Sequence, residues 1–295
     1  MSLHERVATE VIDEVKKLNL EDIKLKSRIV REKLEGINEV YVIYDLDNSV
    51  PAQAFYWTIS TLNPKFNVKI FEVQTFLSLI APYTSNTNIL AFIDDDLYAK
   101  PLRDNMVILR NTITLITSNP KIVKSLKSGL EVQSETGFIN LLSKTSISLL
   151  VALDMMREES QRRVNKVINE VLTSSDIVVD MLRYYKDEIS RLSSERPSLV
   201  IASDIIKSQA IRAYDIKVPV TSWSYRSDIP KGSIVHVWKT SLEDHVYTNF
   251  IRRTIGSNLK LSMIDFRTDP ISAQVYSLIV SEAIIRLREL LGKQE

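Results

Sequence analysis

The stretch Tyr41–Ile59, "YVIYDLDNSVPAQAFYWTI", begins as a β-branched and aromatic run, crosses two acids, an asparagine and a serine, and then turns helical. A strand that ends in a short polar turn and passes at once into a helix is the first half of a parallel βαβ unit. The strand starts at "EVYVIYD" near 39–45, and others follow at helical separations: "NVKIFEV" near 67–73, "NILAFID" near 88–94, "TITLITS" near 112–118 and a weaker "GLEVQS" near 129–134. Each is mostly apolar on both faces, as a parallel strand covered by helices on either side must be.

Outward from this block, the first eighteen residues and Ile23–Leu34 carry apolar residues at three- and four-residue steps, which predicts two amphipathic helices. Phe138 to about Leu192 reads as helical. Strands resume near 197–203, 217–223, 233–239 and 259–266, and a last helix covers roughly 271–291. The expected fold class is α/β: two subdomains, 1–158 and 159–295, each a doubly wound, Rossmann-like parallel sheet flanked by helices.

Composition excludes several chemistries. The 295 residues contain no cysteine, which rules out disulfides and thiolate catalysis, and only three histidines, His4, His236 and His245. Charge is balanced at 38 basic against 37 acidic residues, so the chain as a whole offers no pull on nucleic acid or an anionic membrane. The six glycines compare with about twenty at the usual usage of about 7%, which argues against glycine-rich phosphate loops. The N-terminal "MSLHERVATEVIDEVKKL" lacks the apolar core of a signal peptide, and a cytoplasmic location is expected.

Open α/β sheets bind ligands outside the carboxyl ends of their strands. Three strand-to-helix junctions lie there: "DLDNSVPAQA", "DDDLYAKP" and "TSNPKIVKSL". One reading of them is an aspartate nucleophile. Asp45, Asp47 and Ser49 resemble the Asp-x-Asp-x-Ser/Thr motif of haloacid dehalogenase-type phosphatases, in which the first acid attacks phosphorus, the second is the acid/base and Mg²⁺ offsets charge. In that family the Thr/Ser strand precedes the acidic strand, whereas here Asp94 precedes Thr117. A Mg²⁺-dependent phosphatase is therefore the second alternative.

The order and spacing of the same junctions resemble the sugar isomerase (SIS) domain, specifically the archaeal bifunctional phosphoglucose/phosphomannose isomerases. "ITSNPKIV", Ile116–Val123, is similar to the family's third loop, and "LVIASDIIKSQAIRAYDIKVP", Leu199–Pro219, to its strand, helix and Lys-Val-Pro segment. "TDPISAQVYSLIVSEAIIRLRELL" stands where its final helix belongs. The resemblance covers about 20–291. It implies a cytoplasmic homodimer that binds a sugar or sugar phosphate in a cleft between subdomains, needs no cofactor or metal, and interconverts an aldose and a ketose if active.

The candidate catalytic residues are Asp215 and Arg226, which fall beside and at the family's catalytic positions, and Glu243 and His245, which read as a base and an acid or as two metal ligands; the candidate ligand-binding ones are Asp45, Ser49, Asp94, Asp95, Thr117, Ser118, Lys207 and Arg212. Departures from the family pattern are concentrated where the chemistry lies. Asp45–Asn48 replace its glycine-rich loop, Asp94–Asp96 replace its phosphate-gripping hydroxyls, and Tyr214 stands at the place of its glutamate base. These exchanges keep a second function class open, a non-catalytic sensor or scaffold for a sugar derivative. A structural account of the other candidates also stands: "LEDH" is an ordinary helix start, His236 alternates within a strand, and Asp94–Asp96 cap a helix.

Overall fold

The computed structural model describes residues 2–126, 129–132, 137–155, 166–167, 169–170, 175–214, 217–223, 229–254 and 257–292. They form two compact units, one of residues 18–172 and one of residues 1–17 with 173–295.

The first unit holds a five-stranded, wholly parallel sheet: β1 (Glu39–Tyr44), β2 (Asn67–Glu72), β3 (Asn88–Phe92), β4 (Thr112–Thr117) and β5 (Leu130–Glu131), in the order β2-β1-β3-β4-β5. The predicted strands are all present. Period-2 alternation divides their side chains between two cores. Val40, Val42, Leu90, Phe92 and Ile116 pack under α2 (Leu20–Leu34), α3 (Ser49–Leu62) and α6 (Gly137–Asp154), whereas Tyr41, Ile43, Ile89, Ala91, Ile113 and Leu115 face α4 (Ala99–Leu109) and α5 (Pro120–Leu126). Helix α6 is long and apolar enough by composition to cross a bilayer, yet 83% of it is buried inside the protein, against α2 and α3.

The second unit repeats the plan. Strands β6 (Leu199–Ala202), β7 (Val220–Thr221), β8 (Ile234–Thr240) and β9 (Lys260–Phe266) are all parallel and run β7-β6-β8-β9, which among the described residues is the order of the first four strands of the first sheet. Its helices are α7 (Ser175–Tyr184), α8 (Lys186–Ser194), α9 (Lys207–Arg212), α10 (Asp244–Thr254) and α11 (Pro270–Gly292), together with the N-terminal α1 (Leu3–Val15). Sequence order would place α1 in the first subdomain. It packs on α11 instead, through a stripe of Val7, Val11 and Val15 and a Glu14–Arg286 ion pair of 2.6 Å. A Ser2/Glu5 capping box starts α1.

Phe55 lies at the α3–α6 contact and is fully buried. Phe55→Ala should lower the stability of the first unit by about 3–5 kcal/mol in urea unfolding, because the cavity left between two helices and a sheet cannot close.

Candidate functional site

In the first sheet the chain leaves β1 toward one face and β3 toward the other, so the connections part at the carboxyl ends of these two strands, the topological switch point of an open α/β sheet. Parting strands leave backbone amides without ladder partners, and buried amides need acceptors. Asp45 supplies them. Its amide still donates to Phe92 O at 3.2 Å, the last rung of the ladder. Its Oδ2 then accepts from the amides of Asp94 (2.6 Å) and Asp95 (3.0 Å), while Oδ1 accepts from Asn48 N (3.1 Å) and Asn48 Nδ2 (2.7 Å). Both oxygens of this buried carboxylate are therefore engaged by the protein. Burial pushes its pKa up; the bonds from Asp94, Asn48 and Asp95 oppose that, and the Asp94 charge adds to it.

Asp94 is the centre of the site. Its Oδ1 accepts from Thr117 Oγ1 (3.0 Å) and Ser118 N (2.6 Å), and its Oδ2 from Lys144 Nζ (2.5 Å), Asn48 Nδ2 (3.1 Å) and Asn140 Nδ2 (3.5 Å). Lys144 comes from α6, its side chain wholly buried, and also donates to Asn48 Oδ1 at 2.8 Å. Burial pushes Asp94 up, but the Lys144 ammonium and the donors from Ser118 and Asn48 outweigh it and hold the carboxyl at about 2. The same burial lowers Lys144, against the pull of Asp94, Asp45 and Asp47. Asn119 Nδ2 reaches Asp94 O at 2.9 Å and Asn140 Nδ2 reaches Ser118 Oγ at 2.8 Å, closing the third loop onto the second.

Of the expected ligand-binding residues, Asp45, Asp94, Thr117 and Ser118 are brought together here. Ser49, the first residue of α3, is half-buried beside them in the chain, and Asp95 turns back to cap its own 3-10 turn through Leu97 N at 3.0 Å. Sequence reasoning missed Lys144, Asn48, Asn119 and Asn140. Lys144 had a signal: it is the only charge between Gly137 and Leu153, and a lone cation in a buried helix must have a partner.

The corresponding edge of the second sheet is built from different atoms. Ser203 N donates to Trp238 O at 2.8 Å, the counterpart of the Asp45–Phe92 rung. The buried Ser203 hydroxyl donates to Glu243 Oε1 at 2.5 Å, and Glu243 Oε2 accepts from Thr240 N (2.8 Å) and Thr240 Oγ1 (2.6 Å) in a capping box. Lys239, almost fully buried, pairs with Asp265 at 2.9 Å and with Asp244.

Glu243 thus closes a turn, and His245 is exposed on α10 with no hydrogen bond to it among the described residues. Arg212 is paired to Glu282 at 2.5 Å, and Glu282 in turn to Arg286 at 2.7 Å. Lys207 opens α9, half-buried. Asp215 and Arg226 lie outside the described residues.

Tyr214 is buried, accepting from Trp238 Nε1 and bonded to His236 Nδ1, each at 2.9 Å; burial pushes its hydroxyl up to about 12. His236 in turn meets Glu195 at 3.1 Å, and burial lowers it to about 4 despite that carboxylate. Among the described residues no group of three His, Asp or Glu side chains is placed to hold a metal ion.

No protein-family model and no curated protein sequence matches the chain. Solved structures do. The C-terminal domain of glucosamine-fructose-6-phosphate aminotransferase from Francisella tularensis superposes with a TM-score of 0.73 at 10% identity, over 99% of this chain and 96% of that one. A protein assigned as a phosphosugar isomerase in Clostridium difficile 630 gives 0.67 at 16% identity, over 99% and 94%. Glucosamine-6-phosphate deaminase from Thermotoga maritima gives 0.57 at 11%, over 92% and 94%.

Removing the Asp94 charge should expose what it balances. Asp94→Ala leaves the Lys144 ammonium buried without its partner and should cost about 3–5 kcal/mol, most of it regained in Asp94→Ala/Lys144→Met, as a denaturation cycle would read. The pH dependence has a definite sign. The folded carboxyl, at about 2, lies below its ordinary 3.8, so its stabilisation is complete above about pH 4 and is lost as pH falls toward 2. The margin of wild type over Asp94→Asn should shrink across that window and be flat above it.

At 10 to 16% identity these neighbours share little in sequence, so what they establish is the architecture: the chain has the two-sheet α/β fold of solved sugar-phosphate enzymes and proteins assigned as such.

Proposed function

We propose that the chain is a protein of the sugar isomerase fold that binds a sugar or sugar derivative at the carboxyl edge of its sheets and does not isomerise it. The observation that carries this reading is that the chain's own groups occupy the candidate base and its neighbours. Aldose–ketose exchange needs a carboxylate free to take a carbon-bound proton. Glu243 is held by Ser203 and by both donors of Thr240. Tyr214, at the place of the base in the resemblance, is a buried hydroxyl held up at about 12, far from the range of a base at neutral pH.

The binding part of the reading is supported by the whole-chain likeness to the aminotransferase domain and the deaminase, and by the polar side chains gathered at the β1/β3 edge. The narrower likeness to archaeal phosphoglucose/phosphomannose isomerases rests on the sequence segments alone. An aspartate phosphatase is not favoured, since both oxygens of Asp45 accept bonds from Asn48 and the second-loop amides.

Purified protein should leave glucose 6-phosphate, fructose 6-phosphate and mannose 6-phosphate at their starting proportions in a coupled assay. At least one hexose or hexose derivative should raise its melting temperature saturably. Enzymatic interconversion would refute the non-isomerising half of the proposal; a sugar panel without any shift would refute the binding half.

A further inference from the structure

We propose that the Asp94 carboxylate is a built-in oxyanion: it occupies an anion cage of the chain's own making and thereby decides that the ligand at the β1/β3 edge carries no anionic group there. The inference deepens the proposed binding function by naming a ligand class, and it rests on that reading only for the presence of a ligand.

Five donors from four places in the first unit converge on the carboxylate: Lys144 Nζ from α6, Asn140 Nδ2 from the start of the same helix, Asn48 Nδ2 from the β1 loop, and Thr117 Oγ1 with Ser118 N from the end of β4. A charged ammonium, a backbone amide, a hydroxyl and two side-chain amides around one pair of oxygens are the donor set that holds a phosphate or sulfate. A helix cap needs one or two donors, and a surface carboxylate is content with water. The donors are moreover held independently of Asp94. Lys144 is fixed by Asn48 Oδ1 at 2.8 Å, Asn140 by Ser118 Oγ at 2.8 Å, and Asn48 by Asp45.

Access is compatible with a soluble ion. The Asp94 side chain is 25% exposed, so the cage is not sealed from solvent. Asp45 and Asp47 are the other acids that act on Lys144. With Asp94 in place the donors are already filled, and a free dianion would meet the charge of three nearby acids, one of them bonded to the ammonium. Without Asp94 the five donors lose their shared acceptor and are open to an incoming anion, which then meets one negative charge fewer. Asp94 is therefore a specificity-determining residue.

The test is melting of the full chain in sodium phosphate against sodium chloride at matched ionic strength. Wild type should show no saturable response. Asp94→Gly should gain one, with Tm rising about 3–5 °C for each tenfold increase in phosphate above its dissociation constant, and Asp94→Gly/Lys144→Met should lose it again. Asp94→Ser serves as a second opening of the cage. If Asp94→Gly is unfolded in chloride, recovery of its circular dichroism on adding phosphate supports the proposal. Folded glycine and serine variants that ignore phosphate, variants that stay unfolded in it, or a wild type that responds as they do would each overturn it. A failed sugar panel would leave these outcomes unchanged, so the two readings fail separately.

Discussion

A buried ammonium and the one carboxylate that meets it hold the candidate site together. Lys144 reaches from the core helix α6 to Asp94 at the end of β3, and each group would be strongly unfavourable in its place without the other. Desolvating either ion alone costs several kcal/mol, and the attraction at this distance compensates only because the remaining lone pairs are also satisfied. They are, by Thr117, Ser118, Asn48 and Asn140. That requirement ties the ends of β1, β3 and β4 and the start of α6 to a single point. The carboxyl edge of the sheet, elsewhere a place of loops, is thereby as constrained as the core beneath it.

The second sheet meets the same constraint with other chemistry, which shows that it comes from topology. Both sheets run with their first two strands in reversed order, and both extend the ladder by one amide past the parting point, Asp45 to Phe92 and Ser203 to Trp238. In the first, a short acid on the first loop gathers the amides of the second. In the second, a longer acid on the second loop reaches back to a hydroxyl on the first, Glu243 to Ser203. Either arrangement satisfies donors that separating strands leave behind. Each takes a carboxylate that could otherwise have served chemistry.

The strands and the long helices were legible because their signal is local. β-branched runs between helical spacings mark parallel strands, and all nine expected runs form strands in the described residues. Asp45, Asp94, Thr117 and Ser118 could be named together because ligand edges follow from the topology class. Pairings between distant positions were not legible. Glu14 finds Arg286 across 272 positions, and Arg212 finds Glu282 across 70; nothing near Arg212 in sequence distinguishes an ion-paired arginine from one awaiting a ligand. Glu243 and His245 looked like an acid and a base because they are neighbours in sequence. A capping box turns one inward and the helix leaves the other in solvent. The lone lysine of α6 was the readable clue that went unused.

What the edge of the first sheet can still offer a ligand follows from which groups are left over. Lys144, Thr117 and the Ser118 amide are already donating to Asp94, so the strong donors are occupied. Asp47 is exposed, Asp96 is exposed and pairs loosely with Lys121 at 3.9 Å, Asp95 is half-buried with one oxygen capping Leu97 N, and Ser49 stands half-buried at the first turn of α3. Ionised carboxylates only accept hydrogen bonds, and a sugar ring presents several hydroxyls able to donate. A phosphate presents acceptors to acceptors, at a Coulomb cost of about 1 kcal/mol per acid at 4 Å in water and more as water is excluded. The proposed preference for polyhydroxyl compounds over their phosphate esters rests on this: an edge whose strong donors are internally satisfied by the ion pair that holds it together has few left for an anion.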